Sequence, residues 1–267
     1  MELLQLLVLA VVQGLTEFLP VSSSGHLILP AALLGWPDQG LAFDVAVHFG
    51  SLLAVLLYFR RDIGSLLLAW LSSLRGAQSD DGRLAWWVIV ATVPAVVAGF
   101  VFDDFIETHL RNAWVLGTTT LIFGIFLGVA QRFSISAKQC RDLTLTMVLI
   151  IGFAQALALI PGTSRSGITI TAAAFLGLSL VEASRFSFLL SIPVIAGAAL
   201  LKTIDLLGAD AVVDWLSLLA ATSLSGVTAF LCIGWFMRWV ERIGLMPFAV
   251  YRVLLAAAIF AVAAQQL

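Results

Sequence analysis

Long runs of apolar residues dominate the chain, and six of them are long enough to cross a lipid bilayer. A transmembrane helix needs about 20 consecutive, mostly apolar residues. The six predicted spans comprise residues 42–59, 84–101, 112–131, 184–202, 214–236 and 246–265. This pattern predicts an all-α polytopic membrane protein that forms a single integral membrane domain over residues 1–267.

Two further apolar regions, residues 3–35 and 143–177, are each interrupted by a stretch rich in Ser, Gly and Pro. Such a break frees backbone N–H groups that hydrocarbon cannot satisfy, so it must line a cavity enclosed by protein. We interpret each region as a re-entrant helical hairpin, whose two short helices enter and leave on the same side of the membrane. The alternative is that each region forms one or two kinked transmembrane helices.

The composition supports a membrane protein and excludes several other classes. Hydrophobic residues make up 61% of the chain and charged residues 11%, and the mean hydropathy is +1.07. A soluble domain does not have this composition. The chain has no basic stripe, so we expect no nucleic-acid partner. Its two cysteines indicate neither a disulfide framework nor a zinc site.

Basic residues are concentrated in the loops that fall on one side of the membrane when both hairpins are re-entrant. Ten Lys and Arg residues lie in these loops, which comprise residues 60–83, 132–141, 178–185 and 237–245. The opposite side carries only Arg111 and Lys202. This asymmetry predicts that the first side is cytoplasmic. Arg165 and Arg252 lie outside the loops at membrane depth, and are therefore candidates for function.

The two interrupted regions resemble each other in sequence. At an offset of 142 residues, four positions of the breaks coincide: Gln13 with Gln155, Ser22 with Ser164, Ser24 with Ser166 and Gly25 with Gly167. Each half, about 1–135 and about 143–267, then contains one hairpin and three spans. Because three is odd, the second half must be inverted relative to the first. The pattern predicts an inverted-topology repeat whose broken helices meet near the middle of the membrane.

The breaks carry opposite charges. The first contains Glu17 in the stretch QGLTEFLPVSSSGH, residues 13–26, and the second contains Arg165 in the stretch PGTSRSG, residues 161–167. An ionisable group at membrane depth costs roughly 2.5–3.5 kcal/mol or more unless it faces protein or water. Two such groups in two polar breaks predict a site for an anionic ligand.

The whole chain resembles the undecaprenyl-diphosphate phosphatases, the bacitracin-resistance BacA family. The resemblance rests on the two break motifs, on FSFLLSIP at residues 186–193 and on PFAVYR at residues 247–252. It implies a bacterial enzyme of the plasma (inner) membrane that releases inorganic phosphate from undecaprenyl diphosphate. The product is the monophosphate carrier lipid of cell-wall synthesis. Family members often carry Glu where this chain has Gln13, which weakens any site that needs two carboxylates.

Apart from the resemblance, the residue types in the breaks themselves suit phosphate release. Arg165 can clamp phosphoryl oxygens bidentately, with hydroxyl groups beside it on Ser164 and Ser166. Gly25 and Gly167 permit close backbone approach at helix N-termini. On the first break, Ser23 or a neighbour, Ser22 or Ser24, is the candidate nucleophile, with His26 as its general base.

Glu17 has three alternative roles: it orients His26, activates a hydrolytic water, or holds a divalent cation. We favour a Mg²⁺ or Ca²⁺ ion that bridges Glu17 to the phosphates, with Gln13 as a neutral oxygen ligand, because a bare carboxylate would repel a diphosphate. His48 is expected to be structural, and Arg252 is a secondary site candidate.

Three broader questions stay open at the level of sequence. Broken helices in inverted repeats also build transporters, so the alternative function is a transporter or flippase of a phosphorylated polyprenyl lipid. The serine–histidine cluster favours the enzyme, since a transporter needs no nucleophile. In the predicted topology the first hairpin enters from outside, so we expect a pocket that opens to the periplasm. Expected partners are the lipid substrate and membrane lipids; a homodimer is a candidate assembly, and the sequence leaves the oligomeric state open.

Overall fold

The computed structural model describes residues 3–27, 35–36, 40–134, 138–207 and 214–265, and these form helices and turns without a β-strand. Residues 23–27 are helical. The named helices are α1 Leu3–Thr16, α2 Gly40–Tyr58, α3 Arg60–Ser73, α4 Asp80–Phe105, α5 Ala113–Ala130, α6 Leu145–Ala156, α7 Arg165–Phe175, α8 Leu180–Leu207, α9 Trp215–Ile243 and α10 Met246–Gln265.

Six stretches of helix among the described residues are long and apolar enough to cross a membrane. They are Gly40–Tyr58, Asp80–Leu110, Ala113–Ala130, Leu180–Ile204, Trp215–Ile243 and Met246–Ala264. The second of these includes a π-helical turn, Ile106–Leu110, that continues α4. The prediction of an all-α protein with six apolar spans is therefore confirmed, with ends that differ by up to nine residues.

The predicted loop over residues 60–83 is wrong in part, because it contains α3. This helix buries Leu66 and exposes Leu67 and Leu68. Its first turn is joined to α8 by Asp62, whose carboxylate accepts a hydrogen bond from Arg185 Nε at 2.8 Å. Charged residues at the start of α3 resemble a loop in a hydropathy pattern, although they lie on a helix with one buried face. A real turn follows, and Ser79 then caps the N-terminus of α4.

Small residues allow α2 and α9 to pack with their backbones in contact. A Cβ added at Gly50 would overlap the Thr222 carbonyl oxygen and lie 3.0 Å from the Gly226 nitrogen. Across the same seam, Ser225 Oγ donates to the Val47 carbonyl at 2.8 Å. Close approach with hydroxyl-to-carbonyl bonds is the usual way in which helices associate in membranes, where burial from water supplies no driving force.

Both interrupted regions consist of a helix, a break and a second helical stretch. In the first, α1 ends at Thr16 and helix resumes at residue 23; residues 28–34 of the predicted hairpin lie outside the described residues. In the second, α6 is followed by a 3₁₀ turn, Leu157–Leu159, and α7 starts at Arg165. Ser22 and Ser164, which match at the repeat offset, both have positive φ angles, of 76° and 67°. For residues with a Cβ this conformation is strained, and it recurs at functional sites.

The helix packing supports these breaks from both sides. Helix α1 packs against α9, and α6 packs against α4. An aromatic cluster lies behind the first break, where the Phe18 and Phe188 rings meet edge to face at 5.3 Å and Phe188 continues to Phe236 at 5.7 Å. The breaks are thus embedded in protein, as the unsatisfied backbone groups of an interrupted helix require.

We predict that Gly50→Ala destabilises the protein, because its methyl group must push the α2 and α9 backbones apart. Overpacking of this kind costs about 1–3 kcal/mol. The matched control is Gly197→Ala, whose added Cβ meets nothing within 4 Å and which should stabilise α8 by roughly 0.5–1 kcal/mol. Thermal unfolding midpoints of the two variants in detergent should move in opposite directions. Equal midpoints would contradict the close contact between α2 and α9.

Candidate active site

The two breaks contact each other directly. The Gly162 N–H of the second break donates to Ser24 Oγ at 3.4 Å. In the other direction, Ser166 Oγ donates to the Leu19 carbonyl of the first break at 2.9 Å. Serines at matched positions of the repeat therefore each satisfy a backbone group of the opposite break.

An ion pair between the breaks is at the centre of this contact. Arg165 Nη2 donates to Glu17 Oε1 at 2.9 Å, and the two side chains are only 11% and 9% exposed. Arg165 Nη1 also reaches the Ser187 carbonyl at 3.4 Å, and its guanidinium lies 5.8 Å from the centre of the Phe18 ring. The predicted meeting of an acidic and a basic group at one site is thus present in the structure.

The second oxygen of Glu17 organises the first break. Gln13 Nε2 donates to Glu17 Oε2 at 2.9 Å, and Ser23 Oγ donates to the same oxygen at 3.1 Å. His48 Nε2 lies 3.9 Å from it. We expected His48 to be structural, and this position beside Glu17 instead makes it part of the site. Its other nitrogen, Nδ1, is fixed 2.8 Å from the Asp44 carbonyl one turn earlier.

The predicted role of His26 as general base for Ser23 finds no support in the structure, since Ser23 bonds to Glu17 and His26 faces elsewhere. His26 Nδ1 lies 2.7 Å from the Ser22 carbonyl. A carbonyl only accepts, so we assign the proton to Nδ1, which leaves Nε2 as the acceptor in the neutral ring. That acceptor receives the Tyr251 hydroxyl at 2.5 Å, with the two rings stacked at 5.5 Å. His26 thus joins the first break to α10.

The second break is held from α5 and α10. Arg252, fully buried, donates to the Thr163 carbonyl at 2.9 Å and to the Gly162 carbonyl at 2.8 Å. Thr119 Oγ1 donates to the Pro161 carbonyl. Arg252, our secondary candidate, therefore has all these donors directed at backbone, and its clearest role is to hold the break in shape.

Ser164 caps α7 and shapes the turn in front of Arg165. Its side chain accepts the Gly167 N–H at 3.1 Å and lies 3.3 Å from Ser166 Oγ. The corresponding hydroxyls of Ser22 and Ser24 are 3.2 Å apart. A Cβ at Gly167 would lie 2.8 Å from Arg252 Nη1, so this glycine leaves room for a guanidinium. Gly25 lies inside the helical stretch 23–27 and is buried.

Sequence reasoning missed the contributions of His48, Tyr251 and the hydroxyl pair of Thr169 and Ser187. That pair is 2.6 Å apart and lies next to the Arg165 helix turn, where Thr169 Oγ1 donates to the Arg165 carbonyl. Tyr251 could have been identified from the sequence, because it belongs to the PFAVYR stretch. His48 carried no local signal, since its role arises from contact between α2 and the first break.

The oxygen atoms around Glu17 fit a divalent cation only in part. Among the described residues, no group of three or more His, Cys, Asp or Glu side chains could hold a metal. Gln13 Oε1 is buried without a hydrogen-bond partner, and it belongs to the amide that contacts Glu17. One carboxylate with neutral oxygens suits Mg²⁺ that is held mainly by substrate phosphates. The Arg165 guanidinium already balances the Glu17 charge, so repulsion alone no longer argues for a metal.

Fold and site together define a polytopic helical membrane protein with a buried ion pair and a hydroxyl cluster at two interrupted helices. The model of the family described as "Bacitracin resistance protein BacA" matches residues 6–258. A protein named undecaprenyl-diphosphatase from Teredinibacter turnerae is 57% identical over 97% of this chain and 99% of its own length. Another of that name, from Alteromonas mediterranea, is 55% identical over 96% and 97%. The chain belongs to the BacA family.

We predict that Glu17→Gln lowers the stability of the protein strongly, because it leaves the Arg165 charge buried without a partner. Breaking a buried pair from one side costs about 3–5 kcal/mol, and the double variant Glu17→Gln with Arg165→Gln should recover part of that loss. Asp62→Asn is the control, since its pair with Arg185 is about one-third exposed and should contribute only roughly 0–1 kcal/mol. If the fall in the unfolding midpoint of the double variant equals the sum of the falls in the two single variants, the ion pair is contradicted.

Proposed function

We propose that this protein is an undecaprenyl-diphosphate phosphatase, which releases inorganic phosphate from the lipid diphosphate and regenerates the monophosphate carrier of cell-wall synthesis. The observation that carries this proposal is the constellation in which Glu17 contacts both Arg165 and Ser23. A carboxylate, a hydroxyl and a guanidinium within hydrogen-bond distance are the parts that phosphoryl transfer needs. The names and near-complete coverage of the two relatives support the same reaction.

Arg165 is the group that binds the terminal phosphoryl oxygens. Its guanidinium is planar and always charged, and can hold two oxygens of one phosphate. The same charge stabilises the oxygens in the transition state, where phosphoryl transfer depends mainly on positioning and electrostatics. Before substrate arrives, Glu17 neutralises the guanidinium, so the phosphate either shares Arg165 with the carboxylate or displaces it.

Ser23 is the proposed nucleophile, and Glu17 is its proposed base. As Ser23 Oγ bonds to phosphorus, its proton passes to Glu17 Oε2, the atom it already contacts at 3.1 Å. The anhydride bond breaks, and undecaprenyl phosphate leaves with the bridging oxygen. Water then attacks the phosphoserine, so that its hydroxyl bonds to phosphorus and its other proton passes to solvent. As the Ser23 Oγ–P bond breaks, Glu17 Oε2 returns its proton to Ser23 Oγ, and inorganic phosphate is released. His26, fixed between Ser22 and Tyr251, keeps the Ser23 turn in position.

The membrane arrangement is part of the proposal. Residues that flank the second interrupted region lie side by side, since the Ser179 N–H donates to the Lys138 carbonyl at 3.0 Å. This contact supports a re-entrant hairpin. The matched φ angles of Ser22 and Ser164 support the inverted repeat over about 1–135 and 143–267. The charge bias of the loops supports a pocket that opens to the periplasm, and membership of the BacA family supports a bacterial inner membrane; a homodimer stays a prediction.

The competing function is a flippase for a phosphorylated polyprenyl lipid. Interrupted helices of this kind also bind substrates in transporters, and fold alone does not separate the two. A flippase would move its lipid without releasing phosphate, so the assay below distinguishes them.

We predict that purified protein releases phosphate from undecaprenyl diphosphate and that Arg165→Lys loses at least about 100-fold in kcat/KM. Lysine keeps the charge but loses the planar fork. Arg185→Lys, which alters the ion pair with Asp62 away from the site, should stay near wild type. Both variants should elute as folded protein in size-exclusion chromatography. Near-normal turnover by Arg165→Lys would remove this residue from the phosphate site.

We also predict that Ser23→Ala abolishes turnover while substrate still binds, and that wild-type protein forms a phosphoserine at Ser23. Ser191→Ala is the control, because Ser191 bonds to its own helix at the Phe188 carbonyl. A double displacement gives net retention at a chiral terminal phosphoryl group, whereas direct attack by water gives inversion. Full activity of Ser23→Ala would rule out Ser23 as the nucleophile, and inversion would rule out the serine mechanism. Matched tests of Ser22→Ala and Ser24→Ala locate the nucleophile if the phosphate falls on a neighbour.

We further propose that Mg²⁺ or Ca²⁺ binds with the substrate, held by Glu17, Gln13 and the phosphates. The ion would neutralise phosphate charge that Arg165 alone cannot balance. Excess chelator should then stop phosphate release, either cation should restore it, and Gln13→Leu should raise the cation concentration needed. Full activity in excess chelator would rule out the cation and leave Arg165 to neutralise the phosphate charge.

A further inference from the structure

An apolar groove lies next to the start of the second break. It is bounded by α4, by the π-helical turn Ile106–Leu110, by α6 and by the segment Leu157–Ile160, and its volume is about 1010 Å³. All its lining side chains are aliphatic, aromatic or proline. This volume lies at the upper end of the roughly 300–1,000 Å³ typical of ligand pockets.

The groove exists because α6 is shorter than its neighbour α4. The two helices run side by side in the same direction: Arg83 donates to the Arg141 carbonyl, a Cβ at Gly152 would lie 2.8 Å from the Ala91 carbonyl oxygen, and one at Gly99 would lie 4.0 Å from Leu159. The chain then turns into the break at Ile160. Helix continues past Gly99 to Leu110, so this last part has no α6 residues opposite it.

The chain leads from the groove directly into the second break. Ile160 lines the groove, and Gly162, two residues later, donates to Ser24 Oγ of the hydroxyl cluster. Two trans peptide units span at most about 7.6 Å between Cα atoms. The groove therefore approaches the contact between the two breaks, which includes Arg165.

We propose that the groove binds the polyprenyl tail of the substrate and makes the site selective for long chains. The proposal rests on the proposed phosphatase function. A lipid diphosphate has a head that matches Arg165 and a tail that needs an apolar surface at the same depth, and the groove offers no polar side chain that could hold a headgroup. Because the tail already lies in hydrocarbon, the groove adds van der Waals packing and orientation, so its contribution grows with the chain length that it contacts.

The test compares two substrates and two matched tryptophan variants. Val97 lines the groove and is 54% exposed, whereas Val227 on α9 is 60% exposed and lies outside the groove lining. An indole at Val97 separates the part beside Leu159 from the part along Phe102 and Phe105. Undecaprenyl diphosphate should lose contacts beyond this point, and farnesyl diphosphate should keep most of its own.

Val97→Trp should lower the ratio of kcat/KM for undecaprenyl over farnesyl diphosphate on the order of tenfold, through KM. Val227→Trp should leave the ratio unchanged. Leu157→Trp is a second variant that obstructs the groove, from its opposite wall. An unchanged ratio in both Val97→Trp and Leu157→Trp would overturn the proposal. So would a fall of the ratio in Val227→Trp equal to that in Val97→Trp. If wild-type protein releases no phosphate from either substrate, the phosphatase function itself fails instead.

A photocrosslinking experiment identifies what occupies the groove. Benzoylphenylalanine at position 97 should crosslink a non-hydrolysable undecaprenyl diphosphonate in phospholipid vesicles, and an unlabelled copy should compete. The same probe at position 227 should give only phospholipid adducts. If position 97 also yields only phospholipid, the groove holds ordinary acyl chains and the proposal is wrong.

Discussion

The fold depends on placing two opposite charges in contact at membrane depth. Glu17 and Arg165 lie in different halves of the chain, and each would be costly alone in hydrocarbon. Their contact at 2.9 Å is nearly closed to solvent. It forms only if both helices are interrupted at the right level and their breaks face each other. The interruptions, the cross-bonding serines and the backbone bonds of Arg252 all serve this arrangement.

The same arrangement explains why polar groups are concentrated around the breaks. An interrupted helix exposes backbone donors and acceptors, and side chains rather than water must satisfy many of them. Ser24 and Ser166 do so across the interface between the breaks, while Arg252 satisfies carbonyls of the second break. A site for a charged phosphate group then requires little further change, because donors and a guanidinium are already gathered there. We propose that the groove along α4 extends this site with a purely apolar surface.

Much of the framework could be predicted from the sequence because its signals are local. Apolar runs predicted the six spans, and proline, glycine and serine in the apolar regions predicted both breaks. The opposite charges of Glu17 and Arg165 were enough to predict one site. Helix α3 was missed because charged residues at its start resemble a loop. The partner of Ser23 and the place of His48 depend on how α2 and the first break pack together, and no local pattern encodes that contact.

The central claim is that the two breaks form one phosphate site around Arg165. A structure determined with orthovanadate or a non-hydrolysable lipid diphosphonate tests it most directly. We expect an anion within hydrogen-bond distance of the Arg165 guanidinium and next to the Ser23 hydroxyl. An anion bound elsewhere, with the pair of Glu17 and Arg165 unchanged and remote from it, would contradict the account.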